Sequence, residues 1–209
     1  MNRLIGVAVF ALVFITTSAQ AADKGMYFSA NWGSGILSDA DAVPLGIVSE
    51  TSVDLGFNLG GAIGYDYGPV RAEFELAYHH NDFNELSTGG VTVPAFGTVS
   101  VISLMVNGYY DFHSENSPLV PYLGAGVGLA NIEENLLVIG LKFVDDDNTN
   151  AFAYQFMAGL GFNINPTTTL TAGYRFFATL DPEFKDSAGT PFDSEYQSHE
   201  ITLGIRVAF

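Results

Sequence analysis

The chain contains no cysteine, so no disulfide braces it and no thiolate is available as nucleophile or metal ligand. It has only seven Lys and Arg against 23 Asp and Glu, a formal net charge of −16. That scarcity of cations excludes nucleic acid as a partner, because phosphate contacts need a basic surface. Apolar residues spaced at helical intervals are equally hard to find. Beyond the N-terminus no stretch is long and apolar enough for a transmembrane helix, so membrane insertion is open to this chain only as a closed barrel. Yet 48% of the residues are hydrophobic and the mean hydropathy is +0.24. A chain both strongly acidic and apolar must keep its charge apart from its greasy surface, and a barrel with acidic loops does so.

What is present begins with an address. Met1-Asn2-Arg3 is a short basic region, Leu4 to Ile15 is an apolar run broken only by Gly6, and Thr16 to Ala21 ends in a small-x-small site. This reads as a secretory signal peptide over residues 1–21, cleaved after Ala21, because the apolar run is shorter than the ~18 residues of a spanning helix. The mature chain, 22–209, is one domain's worth of sequence.

The last nine residues name the fold class. Ile201, Leu203, Ile205, Val207 and Phe209 are large and apolar, while Thr202, Gly204, Arg206 and Ala208 between them are small or polar. Successive strand side chains point to opposite faces, so this is a strand with one greasy and one wet side. The pattern recurs in eight segments, near Gly25 to Ile36, Asp54 to Tyr67, Val70 to His80, Val99 to Phe112, Leu119 to Ile132, Ala151 to Ile164, Thr169 to Leu180 and the C-terminus. Short connections (Gly68-Pro69, His113 to Pro118, Asn165 to Thr168) alternate strictly with long ones. The expectation is an all-β fold, an eight-stranded antiparallel transmembrane β-barrel with short periplasmic turns and four long outer loops. A soluble β-sandwich explains the alternation, but not the alternating loop lengths, the terminal aromatic and the Tyr and Phe clusters at strand ends together.

Several stretches carry a family likeness: Pro121-Tyr122-Leu123-Gly124-Ala125-Gly126-Val127-Gly128, Tyr154-Gln155-Phe156-Met157-Ala158-Gly159-Leu160-Gly161, Gly173-Tyr174-Arg175-Phe176-Phe177, and His199 to Phe209. Through them the whole mature chain resembles the small eight-stranded outer-membrane β-barrel family of opacity-type proteins, surface antigens and OmpA-like transmembrane barrels. The resemblance implies a shared barrel with variable loops. It also implies that the C-terminal aromatic, here Phe209, is read by the barrel-insertion machinery.

The two-residue period places Arg71, Glu73, Glu75, His79, Arg175, Glu200 and Arg206 on the inner face. A two-residue hairpin at Gly68-Pro69 sets Asp66 opposite Arg71, Gly64 opposite Glu73 and Ala62 opposite Glu75. These small residues leave room for the carboxylates to reach across the lumen toward Arg175 and Arg206. An eight-stranded barrel is just wide enough to be filled by its side chains, so a satisfied polar core is the first expectation. A narrow channel for ions or small solutes, lined by the same residues, is the alternative.

His79, His80 and Asp82 close the third segment, and His199 and Glu200 open the last, which places them near the outer rim as solvated residues. A lipid-modifying enzyme would need those histidines active, but only Ser198 flanks either pair. His113-Ser114-Glu115 looks triad-like yet occupies a short turn. No catalytic residue, cofactor or metal is therefore expected. Asp145-Asp146-Asp147 lacks the spacing of a dedicated calcium loop and reads as a solvated anionic surface. The apolar pieces Ala42 to Val48, Val91 to Phe96 and Leu136 to Val144 are expected to extend the strands above the membrane, with a lid or a contact surface as alternatives. The sequence thus points to a non-enzymatic surface protein of the Gram-negative outer membrane. Its partners are outer-membrane lipid and lipopolysaccharide, and an extracellular or host ligand at the loops.

Overall fold

A computed structural model describes residues 24–37, 49–53, 55–88, 91–114, 116–138, 141–180, 183–185, 191–193 and 196–209. The expected signal peptide, 1–21, and the apolar piece 42–48 lie outside them. The described strands are β1 (Gly25–Leu37), β2 (Ser49–Val53), β3 (Gly56–Asp66), β4 (Val70–Thr88), β5 (Val91–Asp111) and β6 (Leu119–Val138). They continue with β7 (Leu141–Asn165), β8 (Thr168–Leu180), β9 (Glu183–Lys185), β10 (Pro191–Asp193) and β11 (Gln197–Ala208). Among the described residues no helix is long and apolar enough to cross a membrane.

Eight of these strands, all but β2, β9 and β10, pair antiparallel with their chain neighbours, and β11 returns to β1. These eight strands close on themselves into a barrel, so the spanning part has no free edge. β2 adds to the upper half of β4, and β9 and β10 form a small hairpin of their own. Between β3 and β4 the Tyr67 amide donates to the Val70 carbonyl at 2.9 Å, and Gly68 takes φ 106°, which a primed two-residue hairpin turn requires.

The register fixes the barrel's shape. From Tyr27 the partners run through Gly64, Glu73, Asn107, Gly126, Gln155, Phe177 and Ser198, and reach β1 again at Leu37, ten residues further on. A stagger of that size over eight strands tilts them by about 40–45° to the barrel axis. The tilt decides which inward side chains share a level, and so which charges meet.

Outward positions carry the apolar band that faces lipid: Phe28 and Trp32 on β1, Leu59 and Ile63 on β3, Phe74 and Leu76 on β4, Leu203 and Ile205 on β11, all exposed. At the turn end the band closes with aromatic pairs: Phe28 and Phe209 stack at 4.8 Å, Tyr65 lies 4.6 Å from Tyr67, and Tyr110 4.9 Å from Phe112. Such girdles sit at the membrane–water boundary.

Two of the four outer connections carry the strand extensions expected of their apolar pieces. β4 runs eight residues past His80 to Thr88 and pairs with β5 from Val91, while β6 and β7 pair up to Val138 and Leu141. Val91-Thr92-Val93 and Leu136-Leu137-Val138 are strong strand formers, and continuing the ladder keeps their backbone groups bonded beyond the lipid. The apolar pieces at 91–96 and 136–138 are accordingly strand. Both ladders shift register just above the band, between Phe83 and Glu85 and between Glu134 and Leu136. Bulges at a barrel rim sharpen the twist of the projecting hairpins.

Candidate functional site

The inward residues fill the lumen in three tiers. In the tier nearest the turns, Arg71 grips Asp111 with two parallel hydrogen bonds, Nε to Oδ2 at 2.6 Å and Nη2 to Oδ1 at 3.0 Å. Arg206 Nη1 reaches the same carboxylate at 3.5 Å. The planar guanidinium suits this fork, and its faces are covered too: Arg71 lies 4.3 Å from the Tyr109 ring centroid and 5.7 Å from that of Tyr122. Among the described residues no cation lies at ion-pair distance from Glu73. Instead Tyr27 and Tyr109 donate their hydroxyls to its two oxygens at 2.9 and 2.7 Å, and Asn107 adds a contact at 3.3 Å.

Glycines make this arrangement possible. A Cβ on Gly64 would sit 2.4 Å from the Tyr27 ring, and one on Gly124 would sit 2.4 Å from that of Tyr109. Each tyrosine therefore lies in a slot opposite a residue with no side chain. Gly64→Val is expected to lower stability by about 1–3 kcal/mol, the usual cost of overpacking. Urea unfolding in lipid vesicles measures this; an unchanged midpoint would show that Tyr27 has other room.

The middle tier is a second charge cluster. Arg175 Nη2 lies 2.7 Å from Glu75 Oε1, and Asn107 and Gln155 donate to the other oxygen at 2.6 and 3.1 Å. Arg175 Nε stands 4.0 Å from Glu200 Oε2, while His79 Nδ1 pairs with Glu200 Oε1 at 2.6 Å. Ser198 completes that carboxylate's contacts at 3.3 Å. The cluster therefore chains Glu75, Arg175, Glu200 and His79 across β4, β8 and β11. Not every polar atom is matched: His79 Nε2, Arg175 Nη1, Gln155 Oε1 and both side-chain atoms of Asn58 lack a hydrogen-bond partner among the described residues.

The outermost tier is apolar. Val99, Val101, Met105, Ala130, Ile132, Ala151, Ala153, Phe177 and Tyr196 pack together inside the mouth. Phe177 stacks on the His79 ring at 4.6 Å, and the Tyr196 hydroxyl donates to Asn81 at 2.9 Å. Paired charges thus occupy the turn-end and middle parts of the lumen, and apolar side chains its loop end.

All six expected charges, Arg71, Glu73, Glu75, Arg175, Glu200 and Arg206, face inward, and the register brings Asp66, Gly64 and Ala62 opposite Arg71, Glu73 and Glu75. They lie in two tiers that Asn107 joins, since it donates to both Glu73 and Glu75. Asp111, which holds both Arg71 and Arg206, is the residue that sequence reasoning overlooked. Its signal was the two-residue period, which sets it on one face with Asn107 and Tyr109.

The placement of His79 is a correction. It faces inward as expected, but it is buried in the lumen (1% exposed) rather than solvated at the rim, as is Glu200 (2%), because the strands continue beyond the level of both. His80 and His199 do face outward, and Tyr174 shares a hydrogen bond with His199 at 2.5 Å. Ser198 bonds Glu200, not a histidine. His113 and Ser114 are exposed in a turn, and Glu115 lies outside the described residues. Asp145 to Asp147 run within β7, with side chains outside the description. Among the described residues no group of three His, Asp or Glu is placed to hold a metal ion.

Known proteins share this architecture. The chain is 25% identical to the outer membrane protein PagN of Salmonella typhimurium over the full length of both. It is also 25% identical to opacity protein opA50 of Neisseria gonorrhoeae, over 75% of this chain and 77% of that one. Among solved structures, Neisserial surface protein A superposes with a TM-score of 0.56 at 19% identity, covering 91% of this chain and all of the other, a likeness of fold. Residues 84–204 match the family model described as surface antigen. The chain belongs to that surface antigen family and is one of its eight-stranded barrels in the Gram-negative outer membrane.

Proposed function

We propose that this barrel is a sealed, non-catalytic display scaffold whose outer loops meet an extracellular partner. The observation that supports the reading is the tiered lumen: two tiers of paired charges lie below a cluster of buried apolar side chains. Function then resides on what projects, the β4–β5 and β6–β7 hairpins and the two remaining connections. The segments at that end hold sixteen of the 23 carboxylates and two lysines, Lys142 and Lys185. A partner approaching them meets a strongly anionic surface, which repels polyanions and favours a cationic or apolar face. The opacity proteins and PagN among its relatives agree with a surface role. Insertion through the machinery that reads the C-terminal aromatic, and removal of residues 1–21, belong to the same reading.

Single-channel recording of the refolded mature chain in a planar bilayer tests it. A silent membrane is expected, with insertion verified by the slower gel migration of the boiled sample or its equivalent. Discrete conductance steps altered by Glu75→Gln or Arg175→Gln would instead make the lumen a selective channel.

A further inference from the structure

The inner wall is not equally closed to solvent all the way round. On β4 and β5 every inward side chain, from Arg71 to Asn81 and from Val99 to Asp111, is buried. On β1, β8 and β11 the turn-end half differs: Ser29, Asn31, Thr171, Thr202 and Arg206 are half-buried. Backbone exposure does not account for this, because Ser103, Thr179 and Ser198, inward on the same barrel, are at most 1% exposed. The accessible area therefore belongs to side chains inside the lumen. The register gathers them into one patch. Arg206 lies between Ser29 and Thr169, Gly204 between Asn31 and Thr171, and Thr202 between Gly33 and Gly173. Apart from Arg206 the patch carries only hydroxyls, one amide and glycines.

Asn31 and Thr171 lean over Gly204, where a Cβ would lie 3.3 Å from Asn31 Cβ and 2.7 Å from Thr171 Oγ1. At the top of the patch Asn58 of β3 lays its amide over Gly33: a Cβ there would lie 2.7 Å from Oδ1 and 2.8 Å from Nδ2. The next row, Gly35, Glu200 and Arg175, belongs to the middle tier and ends the patch. Polar groups at this inner end lack partners. Asn58 is 2% exposed and Arg175 4%, yet both side-chain atoms of Asn58, Arg175 Nη1 and Asn31 Oδ1 make no hydrogen bond among the described residues. Each such group costs about 1–3 kcal/mol unless something bonds it. Charge sets the class of occupant. Arg71, Arg175 and Arg206 are ion-paired with an equal number of carboxylates, Asp111, Glu75 and Glu200. What is left over is a mixture of donors and acceptors, which suits a neutral molecule.

We propose that β1, β8 and β11 enclose a blind vestibule, open at the turn end and ending below Glu200 and Arg175, that admits water and small uncharged solutes bearing hydroxyl or amide groups. Asn31, Asn58 and the Nη1 edge of Arg175 bind them at its inner end. That the vestibule is blind rests on the sealed lumen proposed above; that it admits solutes does not.

Because the chain has no cysteine, single introduced cysteines report access directly. The mature chain is refolded in lipid vesicles and treated with methyl methanethiosulfonate, a small uncharged thiol reagent. Thr171→Cys and Thr202→Cys are expected to react about tenfold faster or more than Ser103→Cys, which is inward but wholly buried on β5 and reacts only through local opening. A ring at the mouth, Ser29→Phe or Thr169→Phe beside Arg206, should slow Thr202→Cys to the Ser103→Cys rate. Intact-protein mass reads the reaction, and heat-modifiable gel mobility verifies that each variant is folded. A folded Thr202→Cys barrel as slow as Ser103→Cys, or one that stays fast behind both rings, overturns the proposal. So does a faster reaction with the anionic sulfonatoethyl reagent, which would make the patch an anion site. Conductance steps from the unaltered barrel with the expected labelling pattern would overturn the sealed lumen and the blind end while leaving solute entry supported.

Discussion

Arg175→Met is expected to destabilise the barrel by about 3–5 kcal/mol, the cost of leaving a buried ionic partner without its counter-charge. Among the described residues Arg175 is the only cation at ion-pair distance from Glu75, and it also approaches Glu200. Its removal strands a carboxylate that is wholly buried, since Glu75 is 0% exposed. Asn107 and Gln155 would still donate to Glu75 but bring no positive charge. Adding Glu75→Gln removes the orphaned charge, and the double variant should regain most of the lost stability. Glu200 keeps its contact with His79 in both. Urea unfolding in vesicles, followed by tryptophan emission from Trp32, reads the series. Equal midpoints for the single and double variants would mean that the pair is not coupled and that the middle tier is held by its amides.

Much of this could be read along the strands and little of it across them. The two-residue period alone placed Arg71, Glu73, Glu75 and His79 on one face of β4, and a two-residue turn at Gly68-Pro69 set the facing residues on β3. Which charges meet across the lumen depends on the ten-residue stagger, and alternation within a strand carries no information about it. Glu75 and Arg175 sit on strands that are not neighbours, and their contact follows from closure. Asp111 was lost in a Tyr109-Tyr110-Asp111-Phe112 run that reads as a girdle, although only Tyr110 and Phe112 face lipid. The upper tier was hidden by the rule that barrel interiors are polar. That rule describes water-filled lumens; a barrel narrow enough to be filled by side chains can place Val101, Ile132 and Phe177 inside. Phe177 on β8 is inward for this reason: it shares the parity of Arg175 and lies in the apolar tier.

Two seals in series follow from the tiers, and removing the upper one should not open the barrel. Phe177→Ala deletes the ring that stacks on His79 and meets Tyr196 edge-on, at 4.6 and 5.9 Å. A loss of about 3–5 kcal/mol is expected for a buried phenylalanine whose surroundings collapse only in part. Ions that entered the widened mouth would still face the Glu75–Arg175 pair, closed at 2.7 Å. The variant should therefore be less stable in urea yet silent in a planar bilayer. Adding Glu75→Ser and Arg175→Ser removes both members of the lower seal together, so no buried charge of that pair is orphaned, and short hydroxyls replace two long side chains. The triple variant is expected to conduct in discrete steps. If Phe177→Ala conducted by itself, the apolar tier would be the sole barrier and the middle tier merely structural. If the triple variant folded and stayed silent, the Arg71–Asp111–Arg206 tier near the turns would be a third seal, sufficient to close the lumen.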